Sequence, residues 1–139
     1  MFVARHILVA DDSETDFLLL QRAFHLSGFS HRLTHVRNGL HAVNYMKGDP
    51  PFQNRATSPP PDLLIIDDNM PEMSGMDILK FLREQSLPVP AIMLSGSGKM
   101  RDIQAALALG AAEYLEKPTS HPDLVVLAQT IHHRWLAAA

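Results

Sequence analysis

The sequence lacks cysteine, which excludes disulfides, thiolate metal sites and cysteine nucleophiles. It also lacks any apolar run near the roughly 18 residues that a membrane-spanning helix needs. No apolar signal-peptide core precedes the acidic Asp11, so we expect a cytoplasmic location. Basic residues number 12 against 15 acidic ones, and without a basic excess we expect neither nucleic acid nor a membrane as a partner.

The length of 139 residues fits one domain, and a 46% apolar fraction is enough to form a buried core. After Lys117 only 22 residues remain, which suffice for one helix. We therefore expect residues 1–139 to form a single domain with no separate output domain.

Short apolar runs alternate with helical patterns along the chain. The runs predict strands at residues 6–10, 32–36, 63–66, 91–94 and 112–115. Between the runs, apolar residues recur at helical spacing, as at Phe17, Leu20 and Phe24. Ser13 and Asp16 have the spacing of a capping box where the first helix begins. Five strand–helix pairs indicate an α/β fold with a parallel sheet covered by helices on both faces.

One segment interrupts this alternation. Residues 49–61 contain five prolines, which disfavour both a helix and a central strand. We interpret the segment as a surface loop between the second helix and the third strand. A polyproline II segment that binds a partner is the weaker alternative, because only Pro59, Pro60 and Pro61 support it.

Five polar side chains follow the predicted strands and should meet at one edge of the sheet. They are Asp11, Asp12, Asp67, Ser95 and Lys117. In an open α/β sheet this carboxyl edge is where ligands bind. Three clustered carboxylates with no histidine or cysteine among the ligands favour a hard cation, and Mg²⁺ suits such a set best.

The same group of residues fits phosphoryl transfer onto a carboxylate. Asp67 is the natural nucleophile, because it ends the most apolar strand, and Asp11 and Asp12 are the natural metal ligands. Lys117 and the metal would neutralise charge on the transferring group, while Ser95 would hold one of its oxygens.

Four segments carry a resemblance to a known family. ILVADD, PDLLIIDDNMPEMSG, AIMLSGS and AAEYLEKP resemble, in order and approximate spacing, the receiver domains of bacterial two-component response regulators. The resemblance covers essentially the whole chain. It implies a flavodoxin-like (βα)5 fold with strand order 2-1-3-4-5, and a signalling protein that is not an enzyme acting on other substrates.

The resemblance also implies a role for each acidic site residue. Asp67 would accept a phosphoryl group from a phosphohistidine on a sensor histidine kinase, in a reaction that needs Mg²⁺. Asp11, Asp12 and Asp67 would hold the metal together with the backbone carbonyl of Asn69.

The remaining matched residues would bind or report the phosphoryl group. Ser95 and Lys117 would each contact a phosphoryl oxygen, and Tyr114 would act with Ser95 as the conformational switch. The peptide bond between Lys117 and Pro118 matches a family position that is typically cis.

Partners follow from the resemblance as well. The domain would signal through contacts of helix 4, strand 5 and helix 5 with a downstream protein, or would pass the phosphoryl group to a phosphotransfer protein. That face, or the C-terminal helix with Trp135, which we expect to be exposed, could form a homodimer. The kinase would dock near Phe17, Leu18 and Arg22. The proline-rich loop gives a weaker resemblance to stand-alone regulators that partner bacterial phytochromes, which suggests a phytochrome-like kinase.

Two alternatives to the signalling function stay open. A small Mg²⁺-dependent phosphohydrolase with an aspartyl-phosphate intermediate would need an acid/base carboxylate two residues after Asp67, where Asn69 stands. A binding module of the same fold that needs no phosphorylation is the other. Asp68, acidic where many relatives are apolar or aromatic, could weaken anion binding or help to hold the metal.

Overall fold

A five-stranded parallel sheet lies at the centre of the computed structural model, which describes residues 3–68, 70, 73–96 and 100–137. Its strands are β1 (His6–Ala10), β2 (Arg32–Val36), β3 (Leu63–Asp67), β4 (Ala91–Ser95) and β5 (Glu113–Glu116). The helices are α1 (Glu14–Leu26), α2 (Gly39–Lys47), α3 (Gly75–Glu84), α4 (Met100–Ala108) and α5 (His121–Ile131). The strand order is β2-β1-β3-β4-β5, so the predicted fold and its strand order are confirmed.

Alternate residues of the central strands form two separate cores. One set faces α1 and α5: Ile7, Val9, Leu63, Ile65, Ile92 and Leu94. The other set faces α2, α3 and α4: Leu8, Ala10, Leu64, Ile66, Ala91 and Met93. Because successive side chains of a strand point to opposite faces, a strand covered on both sides is apolar at every position. This explains the unbroken apolar runs in the sequence.

Side-chain caps start the helices at the edge of the sheet where β1 and β3 end. Ser13 accepts a hydrogen bond from the backbone N–H of Asp16 at the start of α1, and Ser74 accepts one from Asp77 at the start of α3. Each cap satisfies one of the backbone donors that a helix leaves unpaired in its first turn. The caps therefore fix where the chain turns from strand to helix beside the predicted site.

The proline-rich segment is an ordered surface loop. The guanidinium of Arg55 donates to the carbonyls of Tyr45 and Met46 in α2, at 2.7 and 2.9 Å, and to that of Ser58 in the loop, at 3.0 Å. The Tyr45 hydroxyl donates to the carbonyl of Pro59 at 2.8 Å. The interpretation as a loop is therefore correct.

The position of the cis peptide bond differs from the expectation. In the described part of the chain it joins Pro50 and Pro51, and the bond between Lys117 and Pro118 is not cis, so that prediction is wrong. Bonds to proline favour trans by only about 0.5–1 kcal/mol, so the local sequence does not decide which of them is cis.

The C-terminal segment packs on the domain itself. Helix α5 continues into a π-helical turn, His132–Leu136, in which the Trp135 indole N–H donates to Glu113 at 2.6 Å. Trp135 packs against the core beside α1 and is not the exposed aromatic that the sequence suggested. No helix within the described ranges is long and apolar enough to cross a membrane.

Candidate functional site

The structure brings the five predicted site residues to one edge of the sheet. Asp11 and Asp12 follow β1, Asp67 ends β3, Ser95 ends β4 and Lys117 follows β5. Backbone hydrogen bonds extend the strand pairing to this edge: the Asp11 N–H donates to Val36 at 3.0 Å, and the Lys117 N–H donates to Ser95 at 2.8 Å. Residues far apart in sequence are thus held side by side by the sheet.

Three carboxylates form a compact oxygen cluster. One oxygen each from Asp11, Asp12 and Asp67 lies within 4.8 Å of the others. Asp11 is only 5% exposed, whereas Asp12 is exposed. A hard divalent cation fits this set, because every donor is oxygen and the exposed side leaves room for water ligands. Asn69, the fourth predicted ligand, lies outside the described residues.

The Lys117 ammonium sits among carboxylates. Its Nζ lies 3.0 Å from Asp11 Oδ2, 2.8 Å from Asp16 Oδ2 and 3.6 Å from Asp67 Oδ2. Burial by itself would lower the pKa of Lys117. The hydrogen bonds to Asp16 and Asp11 and the charges of Asp11 and Asp67 outweigh that effect, so the pKa is raised above its ordinary value and the lysine is charged at neutral pH.

Asp16 is a site residue that the sequence analysis missed. Its spacing from Ser13 predicts that its carboxylate caps α1, but the Ser13 N–H instead donates to Asp11 Oδ1 at 2.8 Å. The Asp16 carboxylate is then free to bind Lys117. A signal was present only as an acidic residue in the first turn of α1, and local spacing does not distinguish a cap from an ion pair.

An open cleft adjoins the three carboxylates. It has a volume of about 730 Å³ and is lined by Asp12, Asp67, Asp68, Met76, Ser95, Gly96, Asp102 and Lys117. Ser95 is buried, with 1% exposure. A Cβ added at Gly96 would meet no atom of the described residues within 4 Å, so none of these narrows the approach to Asp67 there. Since a water molecule takes up roughly 30 Å³ of liquid, the cleft has room for a phosphoryl group and a hydrated ion.

Asp68 and Tyr114 contact each other beside this cleft. The Tyr114 hydroxyl donates to Asp68 Oδ2 at 3.0 Å, and the ring packs against the core beneath α3 and α4. The sequence alone does not decide between the two possible roles of Asp68. The structure pairs the residue that follows Asp67 with the predicted switch aromatic.

One predicted docking residue is not on the surface. Phe17 is 8% exposed, and its ring stacks on His35 at a centroid distance of 4.4 Å. The expectation that Phe17 meets a kinase is wrong, because its place in the helical repeat turns it toward the core. Leu18 and Arg22 on the same helix are exposed.

Comparison with known proteins gives matches that span most of the chain. Residues 7–129 match the family model of the response regulator receiver domain. The chain spans about half the length of the curated relatives that it matches, with 31% identity over 121 residues and 47% of the relative covered.

Three solved structures are similar over nearly their whole length. Response regulator RPA3017 in red light signaling of R. palustris shares 31% identity, with a TM-score of 0.89 over 97% of this chain and 96% of that one. The Mn²⁺-bound form of response regulator Rcp1 shares 29%, with a TM-score of 0.84 over 97% and 96%. The phosphorylated cyanobacterial phytochrome response regulator RcpA shares 27%, with a TM-score of 0.85 over 99% and 97%.

Proposed function

Since this chain belongs to the response regulator receiver domain family, we propose that it is a signalling switch whose Asp67 accepts a phosphoryl group from a sensor histidine kinase. An oxygen of the Asp67 carboxylate attacks phosphorus, the bond from phosphorus to the imidazole nitrogen of the donor breaks, and an aspartyl-phosphate forms. The protein then promotes only its own phosphorylation and dephosphorylation and is not an enzyme in the ordinary sense.

One observation carries this proposal: Asp67 lies between a carboxylate cluster that can hold a divalent cation and the ammonium of Lys117. It shares the oxygen cluster with Asp11 and Asp12, lies 3.6 Å from the Lys117 ammonium, and borders the same cleft as Ser95. Lys117 offers N–H donors and Ser95 a hydroxyl donor to the oxygens of an incoming phosphoryl group.

The carboxylate cluster is suited to Mg²⁺. Asp11, Asp12 and Asp67 would hold the ion, with the carbonyl of Asn69 as the expected fourth protein ligand. When bound, the ion would neutralise charge on the phosphoryl oxygens. The Mn²⁺-bound form of Rcp1 supports a divalent cation in a similar protein.

The partners that we propose follow from the similar proteins and from the exposed surface. A phytochrome-like histidine kinase is supported by the likeness to RPA3017 and RcpA, and the exposed Leu18 and Arg22 are the residues we assign to its docking. The output surface would be α4–β5–α5, through which the domain contacts a downstream or phosphotransfer protein, or a second copy of itself. Residues 1–139 act as the receiver domain, and we place it in the cytoplasm.

The test of this function is the intact mass after incubation with acetyl phosphate, with and without Mg²⁺. The wild type is expected to gain one phosphoryl group only when Mg²⁺ is present, and Asp67→Asn is expected to gain none, because the amide is a poor nucleophile. Asp123→Asn is the matched control, since it makes the same change in the exposed first turn of α5. An adduct on Asp67→Asn, or a wild type that never gains one, would contradict the proposal.

A further inference from the structure

In the unphosphorylated site, the Lys117 ammonium pairs with Asp16 and Asp11 more closely than with Asp67, the residue that would carry the phosphoryl group. The ammonium hydrogen-bonds Asp16 at 2.8 Å and Asp11 at 3.0 Å, whereas Asp67 is 3.6 Å away. Asp16 belongs to α1 and lies outside the segments that carry the family resemblance. We propose that Asp16 competes with the phosphorylated Asp67 for Lys117 and thereby shortens the lifetime of the aspartyl-phosphate; this rests on the proposed function.

The contact between Asp11 and Lys117 is the fixed one. The Asp11 carboxylate is buried, and its other oxygen accepts the Ser13 N–H at 2.8 Å. A buried carboxylate held in this way costs free energy if it is left without a cation, so in the unphosphorylated site Lys117 gives up its contact with Asp11 less readily than its contact with Asp16.

The contact between Asp16 and Lys117 is the exchangeable one. The Asp16 side chain is 41% exposed against 13% for Asp67, so water and salt screen its pairing with the lysine more strongly. The Asp16 N–H is bound to Ser13 at the start of α1, which keeps the backbone of Asp16 in place when the lysine moves. A phosphoryl group on Asp67 would therefore draw the ammonium away from Asp16.

Removing the Asp16 charge should leave the phosphorylated Asp67 without this competitor for the Lys117 ammonium. The ammonium then pairs more fully with a phosphoryl oxygen, and the aspartyl-phosphate is stabilised against hydrolysis. Partly exposed ion pairs are weak, so we expect the half-life to rise by about two- to fivefold. Asp16 is a positioning residue in this account, because it acts on the phosphoryl group only through Lys117.

The experiment loads the protein with acetyl phosphate and Mg²⁺, removes the donor, and follows the decay of the phosphoryl adduct by intact mass. Asp16→Asn and Asp16→Ala are both expected to lengthen the half-life, and to bind beryllofluoride about two- to fivefold more tightly. Glu14→Gln is the matched control: it removes an acidic charge from the same turn of α1, but Glu14 pairs with Arg37 at 3.0 Å on the surface. Its half-life should equal that of the wild type.

A second comparison isolates the role of the lysine. In a Lys117→Ala background, Asp16→Asn should no longer change beryllofluoride affinity, whereas plain charge repulsion by Asp16 would act without the lysine. Persistence of the effect in that background overturns the proposed competition.

The outcomes separate this inference from the proposed function. A wild type that is phosphorylated, with Asp16→Asn decaying at the same rate or faster, overturns the inference and leaves the function standing. A wild type that gains no phosphoryl group and binds no beryllofluoride overturns the function itself.

Discussion

At the scale of single residues, Asp11 shows how a buried charge is accommodated at the sheet edge. Its two carboxylate oxygens accept from the Ser13 N–H and the Lys117 ammonium, and its backbone carbonyl accepts from His35 at 2.7 Å. A buried carboxylate is tolerated only when its oxygens are paired in this way. Three separate parts of the chain therefore fix one residue of the site.

Gly75 is required by the close approach of α3 to the end of β3. A Cβ at this position would lie 2.7 Å from the Cε of Met93, and 3.0 Å from both the Asp67 carbonyl oxygen and the Cγ2 of Ile66. Gly75→Ala should lower the free energy of unfolding by about 1–3 kcal/mol, because these neighbours must shift to admit the methyl group. Urea denaturation at pH 7.5 measures the change.

Gly96→Ala is the control for this prediction. Within the part of the chain that the structure describes, a Cβ at Gly96 meets no atom within 4 Å, and the residue has no positive φ that would strain an alanine. The substitution should leave stability within about 0.5 kcal/mol or raise it slightly by restricting the unfolded chain. Equal losses of unfolding free energy in the two variants would show that the contacts around position 75 do not oppose an added methyl group.

At the scale of elements, the loop from Asp49 to Pro61 is tied to α2 mainly by Arg55, beside the hydrogen bond from Tyr45 to Pro59. Arg55 closes the end of α2 through the carbonyls of Tyr45 and Met46 and holds the loop through Ser58. Helices leave their last carbonyls without backbone partners, and a charged donor satisfies them. The prolines limit the shapes that the loop can take, while Arg55 attaches it to the domain.

Arg55→Gln should release this loop. Hydrogen bonds from a charged donor contribute about 1.5–3 kcal/mol each when they are buried. The bonds of Arg55 are partly exposed, which reduces their contribution, so we expect Arg55→Gln to lower the free energy of unfolding by about 1–3 kcal/mol. Hydrogen exchange of the amides of residues 52–58 should accelerate by at least about tenfold, because the loop opens locally at lower cost.

The surface arginine Arg37 provides the comparison. Its contact with Glu14 joins two largely exposed side chains, so Arg37→Gln should change stability by no more than about 0.5 kcal/mol. Unchanged exchange in the loop of Arg55→Gln would mean that the prolines and the remaining hydrogen bonds, from Tyr45 to Pro59 and from Arg32 to Thr57, suffice to hold the segment in place.

At the scale of the whole molecule, the buried histidines His31 and His132 link the segment that contains Arg5 to the turn that follows α5. The Arg5 N–H donates to Nδ1 of His31, so His31 Nε2 carries the proton that it donates to Nδ1 of His132, at 2.9 Å. The Phe29 ring stacks on His132 at 3.5 Å. Burial, and then the charges that His132 and Arg5 would bear, lower the pKa of His31 to about 4.

This pairing predicts a loss of stability in mild acid. The unfolded chain takes up a proton at His31 near pH 6.5 and the folded chain only near pH 4, so stability falls as the pH drops through that window. Between pH 7.5 and 5 the contribution of His31 is up to about 2 kcal/mol. Urea denaturation at the two pH values should therefore show a smaller difference for His31→Gln than for the wild type.

His25→Gln serves as the reference, because His25 is exposed on α1. It should keep the full pH dependence of the wild type. If His31→Gln loses as much stability between the two pH values as the wild type does, the buried pair is not what makes the fold sensitive to acid.

The order of the elements and the edge where the site forms can be predicted from the residue pattern. Nearly continuous apolar runs of strand length indicate β1, β3 and β4, because strands covered on both faces are apolar at almost every position. The polar residues that end these runs, Asp11, Asp67 and Ser95, must then meet at the carboxyl edge of a parallel sheet. Both conclusions need only local periodicity and the geometry of the sheet.

Which side chains pair across the fold depends on how the helices pack on the sheet. The ion pair of Asp16 with Lys117 and the hydrogen bond of Tyr114 to Asp68 join residues on different elements. Trp135, expected to be exposed, packs against the core, and its indole N–H donates to Glu113 on β5. Local spacing offers several partners to each of these groups, and the packing of the helices on the sheet selects one of them.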